Sequence, residues 1–99
     1  MTTKSQILTF LKNNRKYLRD NFHVIKIGIF GSFARGDQEV GSDIDFVVEF
    51  EKDTQNLFET KQNLREFLRS EFKTEVDICR EKYIKPKLRE SILKETIYA

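Results

Sequence analysis

VIKIGIF (residues 24–30), GSFARGDQEVGS (31–42) and DIDFVVEF (43–50) follow one another in the first half of the chain. The first and third stretches are rich in β-branched and aromatic side chains, which favour β-strands. The middle stretch contains three glycines, which interrupt regular structure. The segment therefore predicts two strands connected by a glycine-rich turn.

Apolar residues at helical spacing predict three helices around these strands. We expect the first helix to run from Ser5, its N-cap, to Asp20. Asp53 and Thr54 have the composition of a cap for the second helix, and Pro86 suits the first turn of the third. The apolar stripes are Ile7, Leu8, Leu11 and Leu18 in the first helix, Leu57, Phe58, Leu64, Phe67 and Leu68 in the second, and Leu88, Ile92, Leu93 and Ile97 in the third.

A third, short strand is predicted at TEVDIC, residues 74–79. The element order is then α-β-β-α-β-α, with no internal repeat and no linker. This order predicts an α+β fold in which helices cover a small mixed sheet. A chain of 99 residues supplies one core, so we expect residues 1–99 to form a single domain.

Charge and cysteine content exclude several classes of protein. Eighteen Lys and Arg against 16 Asp and Glu give a net charge of +2, too balanced to indicate a nucleic-acid binder. The single cysteine excludes an intrachain disulfide and a cysteine zinc site. No apolar run approaches the roughly 20 residues that cross a bilayer. We therefore expect a cytoplasmic protein with no membrane partner and no direct contact with nucleic acid.

Asp43 and Asp45 stand at the start of the second predicted strand, although Asp is a poor strand former. Side chains two residues apart on a strand leave the same face, so Ile44 and Phe46 leave the other face toward the core. Two like charges on one face are unfavourable unless a cation lies between them. Mg²⁺ fits, because it binds carboxylates together with substrate phosphates. Taken alone, the pair is also typical of a turn or a cap.

Asp77 lies between Val76 and Ile78 in the third predicted strand, so it leaves the face opposite to theirs. If the third strand pairs beside the second, Asp77 joins Asp43 and Asp45. Three carboxylates are able to hold two metal ions about 3.5–4 Å apart, an arrangement suited to in-line displacement at phosphorus. The alternative is a charge on an edge strand that discourages aggregation.

Gly31 and Ser32 follow the first strand directly. A glycine at a strand end lets the backbone approach a phosphate closely, and Ser32 adds a hydroxyl donor. Arg35 lies about one helical turn further and is placed to meet phosphate oxygens. An exposed arginine without a ligand is an equally good interpretation of that residue.

Together these residues resemble the DNA polymerase β-type nucleotidyltransferase superfamily. Its pattern is Gly-Ser, ten residues, Asp-x-Asp on the next strand and an acidic residue on a later strand. Here Gly31-Ser32, residues 33–42, Asp43-Ile44-Asp45 and Asp77 match it. The sequence GSFARGD…GSDIDFVVEF resembles the minimal nucleotidyltransferase (MNT) branch, and the resemblance covers about residues 25–98.

The resemblance implies a polymerase β-like nucleotidyltransferase fold and a protein paired with a HEPN-domain toxin, an RNase. Such antitoxins bind the toxin and, in some cases, transfer AMP from ATP to one of its tyrosines. By this resemblance Gly31 and Ser32 would hold the triphosphate. Asp43 and Asp45 would bind two Mg²⁺ ions, and Asp77 would bind the catalytic ion and help to deprotonate the acceptor hydroxyl.

Three functions stay open on the sequence. The first is an antitoxin that adenylylates its toxin, and the second is an antitoxin that blocks the toxin by binding alone. The third is a transferase that acts on a small molecule with the help of a partner subunit. The short chain leaves little room for an acceptor pocket of its own, which favours a partner protein as the acceptor.

Overall fold

The computed structural model describes residues 2–99, which form a four-stranded mixed sheet and its flanking helices. The predicted α+β class, a small mixed sheet covered by helices, is confirmed. No helix within 2–99 is both long enough and apolar enough to cross a bilayer. The elements are α1 (Lys4–Asn13), α2 (Arg15–Phe22), β1 (Val24–Phe30), α3 (Gly31–Arg35), β2 (Ile44–Phe50), α4 (Leu57–Phe72), β3 (Val76–Arg80), a 3₁₀ turn (Glu81–Tyr83), α5 (Pro86–Glu95) and β4 (Ile97–Tyr98).

The strand order across the sheet is β3-β2-β1-β4. β2 runs antiparallel to β1 and parallel to β3, and α4 forms the crossover that a parallel pair requires. The end of β1 therefore lies at the same edge of the sheet as the starts of β2 and β3. Phe30 is paired with Asp45 in this register, which brings the turn after β1 to the start of β2.

One buried cluster joins side chains of α1, α2 and α4 to the sheet. Its centre is the face of β2 that carries the alternating apolar residues of the strand. All four are at most 4% exposed, as the alternation predicts: Ile44, Phe46, Val48 and Phe50. Because these residues occupy the core face, the alternate positions Asp45 and Glu49 leave from the other face.

The first predicted helix is two helices in the structure, so the single span from Ser5 to Asp20 is wrong. Asn14 has non-helical torsions, φ −112° and ψ 18°, and its side-chain amide donates to the carbonyl of Phe10 at 2.8 Å. The N-cap is Thr3 rather than Ser5. Its hydroxyl accepts from the Gln6 N–H at 3.2 Å, while the Gln6 side chain accepts from the Thr3 N–H at 3.0 Å.

The second predicted helix also begins later than expected, at Leu57 rather than after Asp53-Thr54. The Thr54 hydroxyl donates to the carbonyl of Glu51 at 2.5 Å, so it stabilises the preceding turn and does not cap a helix. Phe58, assigned to the apolar stripe, is 78% exposed. The apolar pattern misplaced it because Leu64 and Leu68 alone define the fully buried line of α4.

The end of the chain contains a strand that the helical pattern concealed. Ile97, predicted in the stripe of the last helix, lies in β4, because the extended torsions of Thr96 end α5 at Glu95. β4 pairs with β1 through Gly28↔Tyr98 and Ile29↔Ile97. A Cβ at Gly28 would lie 2.6 Å from the Ile97 carbonyl oxygen, so this approach of two backbones requires glycine. Pro86 does occupy the first turn of α5, as predicted.

Candidate active site

Asp45 and Asp77 are partners across the parallel β2–β3 pair. Residues in register on neighbouring strands leave the same face of the sheet, where the strands are about 4.8 Å apart. Asp43 directly precedes β2, two residues before Asp45. The structure therefore brings the three sequence-predicted carboxylates to one edge of the sheet, with Asp45 half-buried and Asp43 and Asp77 exposed.

The surroundings of the Asp45 carboxyl disfavour its ionised form. Burial, together with the charges of Asp77 and Asp43, raises its pKa from an ordinary value of 3.8 to about 6. The Arg35 guanidinium acts in the opposite direction, and Glu95 adds to the rise. A carboxylate held in this way favours binding of a proton or a metal cation.

Gly31 is pressed against this carboxyl group. It adopts φ +74°, and a Cβ built on it would lie 2.3 Å from Oδ2 of Asp45. Both the positive φ and the lack of space exclude any other residue type without local rearrangement. Gly31 therefore lets the turn after β1 approach the start of β2, and its predicted approach to a phosphate stays a prediction.

Ser32 and Arg35 lie on the short helix α3 that Gly31 begins. Ser32 is half-buried, whereas Arg35 is exposed. The Arg35 guanidinium donates through Nε to Asp37 Oδ2 and through Nη1 to Glu95 Oε2, both at 3.1 Å. The arginine is exposed and paired with two acidic residues at the turn, and its predicted contact with phosphate stays a prediction.

Glu95 is a residue of this region that the sequence analysis missed. Its Oε1 accepts the Gly31 N–H at 3.0 Å, and its Oε2 accepts from Arg35. One carboxylate at the end of α5 therefore ties together the two ends of α3. The only signal in the sequence is an acidic residue near the end of the last predicted helix, which does not by itself predict a contact 64 residues away.

Asp43, Asp45 and Asp77 lie in one region but do not by themselves form a complete metal-binding site. Within residues 2–99, no three Asp, Glu, His or Cys side chains are arranged so that they already hold a metal ion. Mg²⁺ commonly takes one or two carboxylates and completes its shell with water and substrate phosphates. The pair Asp45 and Asp77, with its excess negative charge, meets that partial requirement.

Residues 11–99 match the family described as a nucleotidyltransferase domain. The protein adenylyltransferase MntA of Thermococcus cleftensis is 33% identical over 98 residues, which cover 99% of this chain and 97% of that protein. The matched region contains the turn after β1 and all three carboxylates. The similarity therefore extends over the whole arrangement described above.

Two solved structures show the same fold. A candidate minimal nucleotidyltransferase has a TM-score of 0.72 and 31% identity, covering 91% of this chain and 93% of that one. A toxin–antitoxin structure with AMP-PNP has a TM-score of 0.68 and 26% identity, covering 88% of this chain and 69% of that one. The chain belongs to the nucleotidyltransferase superfamily and, within it, to the minimal nucleotidyltransferases, which confirms the resemblance of its sequence.

Proposed function

We propose that this protein is a cytoplasmic antitoxin that binds a HEPN-type RNase toxin and transfers AMP from ATP to a tyrosine of that toxin. The naming of its relative as a protein adenylyltransferase supports the reaction type. The AMP-PNP in a related toxin–antitoxin structure supports a nucleotide substrate and a protein partner. The observation that carries the proposal is the register of Asp45 with Asp77 beside Gly31.

The turn after β1 is the proposed triphosphate site. Gly31 supplies close backbone approach, and the Ser32 hydroxyl supplies a donor to phosphate oxygen. Arg35 is the proposed cationic ligand, for which the incoming phosphates compete with Asp37 and Glu95. The exchange is favourable because a triphosphate offers the guanidinium more negative charge than either carboxylate does.

Asp43, Asp45 and Asp77 are the proposed ligands of Mg²⁺, with two ions bound in the loaded enzyme. The raised pKa of Asp45 supports this assignment, because burial and the charges of Asp77 and Asp43 disfavour its ionised form, and a bound cation would offset this cost. When bound, Mg²⁺ supplies positive charge beside the phosphates and the attacking oxygen.

The reaction is a substitution at the α-phosphorus. The tyrosine oxygen forms a bond to this atom while the bond to the oxygen bridging toward the β-phosphorus breaks, and pyrophosphate leaves with that oxygen. A tyrosine hydroxyl has a pKa near 10, so it requires a proton acceptor at neutral pH. Asp77 is the proposed acceptor, because it is exposed at the outermost strand of the carboxylate edge.

The test is AMP transfer to the product of the adjacent gene, followed by intact mass spectrometry. We expect Asp45→Asn to reduce transfer by at least about a hundredfold, the usual cost of losing one charged group of such a site. Asp53→Asn is the matched control, because Asp53 lies in the β2–α4 connection at φ 64°, a conformation that Asn tolerates. If the Asp45→Asn variant transferred AMP at the wild-type rate, the assigned site would be wrong.

The same variants decide between catalysis and protection by binding alone. If Asp45→Asn still forms the complex by gel filtration but no longer protects cells, catalysis is required for neutralisation. If it still protects, the protein is an antitoxin that acts sterically. Transfer of AMP to a small acceptor and to no protein would instead identify a small-molecule transferase.

A further inference from the structure

A small cavity lies between α4 and the outer strand β3, immediately beside Asp77. Its volume is about 260 Å³, and it is lined by Phe58, Lys61, Gln62, Arg65, Asp77 and Ile78. The four residues from α4 are spaced as i, i+3, i+4 and i+7, so they form one stripe on the helix that faces the sheet edge. The packing of α4 against β3 therefore forms the cavity, and Asp77, the proposed proton acceptor, is one of its lining residues.

The chemistry of this stripe is unusual for its helix. Phe58 is a large aromatic that is 78% exposed. Lys61 and Arg65 form no ion pair with any residue in the range 2–99, whereas Arg69, one turn further, is paired with Glu75 at 2.8 Å. The cavity thus offers one aromatic ring and two cations that form no ion pair within the described part of the chain.

The position of the cavity relates it to the acceptor rather than to the nucleotide. The proposed triphosphate turn follows β1, Asp45 lies on β2 and Asp77 on β3, so they succeed one another across the sheet. The residues that line the cavity come from α4 and from β3, the edge strand, so β2 lies between the cavity and the turn after β1. An in-line displacement places the attacking oxygen opposite the leaving oxygen. A molecule in the cavity would therefore approach from the attacking side.

The size of the cavity agrees with this placement. At about 260 Å³ it falls below the roughly 300–1,000 Å³ of sites that enclose a drug-sized ligand, so it suits one side chain and not a nucleotide. An aromatic ring packs well against Phe58. Carboxylates next to it would pair with Lys61 and Arg65.

From this arrangement we propose that the α4–β3 cavity is the acceptor subsite, which receives a tyrosine side chain flanked by acidic residues of the partner protein. The proposal rests on the proposed adenylyl transfer and names the chemistry of its acceptor. Phe58 would contact the tyrosine ring, and Lys61 and Arg65 would pair with the flanking carboxylates. The hydroxyl would then face Asp77.

The test uses two synthetic peptides, one with a tyrosine between glutamates and one with lysines in place of the glutamates. Each is titrated into the ¹⁵N-labelled full chain, and amide shifts are followed by NMR. We expect the acidic peptide to shift resonances of Phe58, Lys61 and Arg65, and the basic peptide to leave them unchanged. Equal shifts with both peptides, or acidic-peptide shifts elsewhere only, would overturn the proposal.

Charge reversal adds a second measurement. Lys61→Glu and Arg65→Glu should each weaken acidic-peptide binding by about tenfold, since an attraction worth up to about fivefold becomes a repulsion. Lys52→Glu is the matched control, an exposed lysine in the connection before α4 that lines no part of this cavity. Circular dichroism melting shows whether each variant is folded, and Lys61→Gln replaces Lys61→Glu if the latter is not.

Nucleotide binding separates this proposal from the function on which it rests. AMP-PNP affinity, measured by calorimetry with Mg²⁺, should be unchanged in Lys61→Glu and Arg65→Glu. A loss of affinity in these variants would show that the cavity serves the nucleotide, and the acceptor assignment would be wrong. Failure of the wild-type protein to bind AMP-PNP would instead contradict the proposed transferase, whatever the peptides do.

Discussion

Asp45 and Glu81 are carboxylates near the same sheet, but their surroundings are opposite. Burial and two neighbouring acids raise the pKa of Asp45 to about 6. Hydrogen bonding to Lys26 at 2.9 Å lowers the pKa of Glu81, helped by the Tyr98 hydroxyl at 2.8 Å. Glu81 thus joins the 3₁₀ turn to β1 and β4. Ionisation of Asp45 therefore costs stability, whereas ionisation of Glu81 contributes to stability.

Substitution at the Gly31–Asp45 contact should give the largest change in the free energy of unfolding. Gly31→Ala should destabilise the protein by about 3 kcal/mol, because a positive φ is combined with overlap on Asp45. Gly36→Ala is the matched control: Gly36 has φ +82° but nothing within 4 Å of its Cβ position, so only about 1 kcal/mol is expected. Urea denaturation measures both values.

A double-mutant cycle shows whether Asp45 causes the excess. In an Asp45→Ala background, Gly31→Ala should cost little more than Gly36→Ala, because the overlapping oxygen at 2.3 Å has been removed. An unchanged cost in that background would mean that the Asp45 side chain does not limit position 31.

Glu81→Gln tests the compensated carboxylate and should destabilise the protein by about 1–2 kcal/mol, since charged hydrogen bonds to Lys26 and Tyr98 are lost. Because the folded pKa of Glu81 lies below its ordinary 4.5, its contribution is complete above that pH and disappears as pH falls through the folded value. The wild type and the variant should therefore converge in acid. Glu90→Gln, at an exposed position of α5, is the control.

Asp45→Asn should change the free energy of unfolding least, and it should stabilise the protein rather than destabilise it. The folded pKa of Asp45 is raised, so ionisation of this group costs stability as pH rises from about 4 through 6. Without metal, the variant should be more stable than wild type by about 1 kcal/mol above pH 6, a value reduced for solvent screening. The gain should vanish below about pH 4. Denaturation in EDTA measures it, and a loss of stability would contradict the comparison.

The strands of the site were predictable because their patterns are local. β1 has the predicted bounds, Val24–Phe30, and β2 starts one residue after the predicted Asp43. The alternation along β2 correctly separated Asp45 from its apolar neighbours. The pairing of β3 beside β2 entered the sequence analysis only as a condition, and the structure supplies it.

The missed features depend on contacts between distant parts of the chain. Glu95 reaches Gly31 only because α5 folds back over the end of β1. Phe58 matched an apolar stripe, but the stripe does not specify that the first turn of α4 extends past the core. β4 is two residues long, too short for any periodicity. Propensity and pattern cannot anticipate such features, because tertiary packing decides them.

The pairing of β4 with β1 has a consequence for the turn three residues beyond Gly28. Ile97 lies only two positions after Glu95. The distance between β4 and Gly28 therefore also determines where the Glu95 carboxylate meets Gly31. A methyl group at position 28 would displace β4 and, with it, the Glu95 carboxylate that accepts the Gly31 N–H. The spacing between β1 and β4 thus sets the position of the neighbouring turn, and substitution of Gly28 would affect a turn that this residue does not contact.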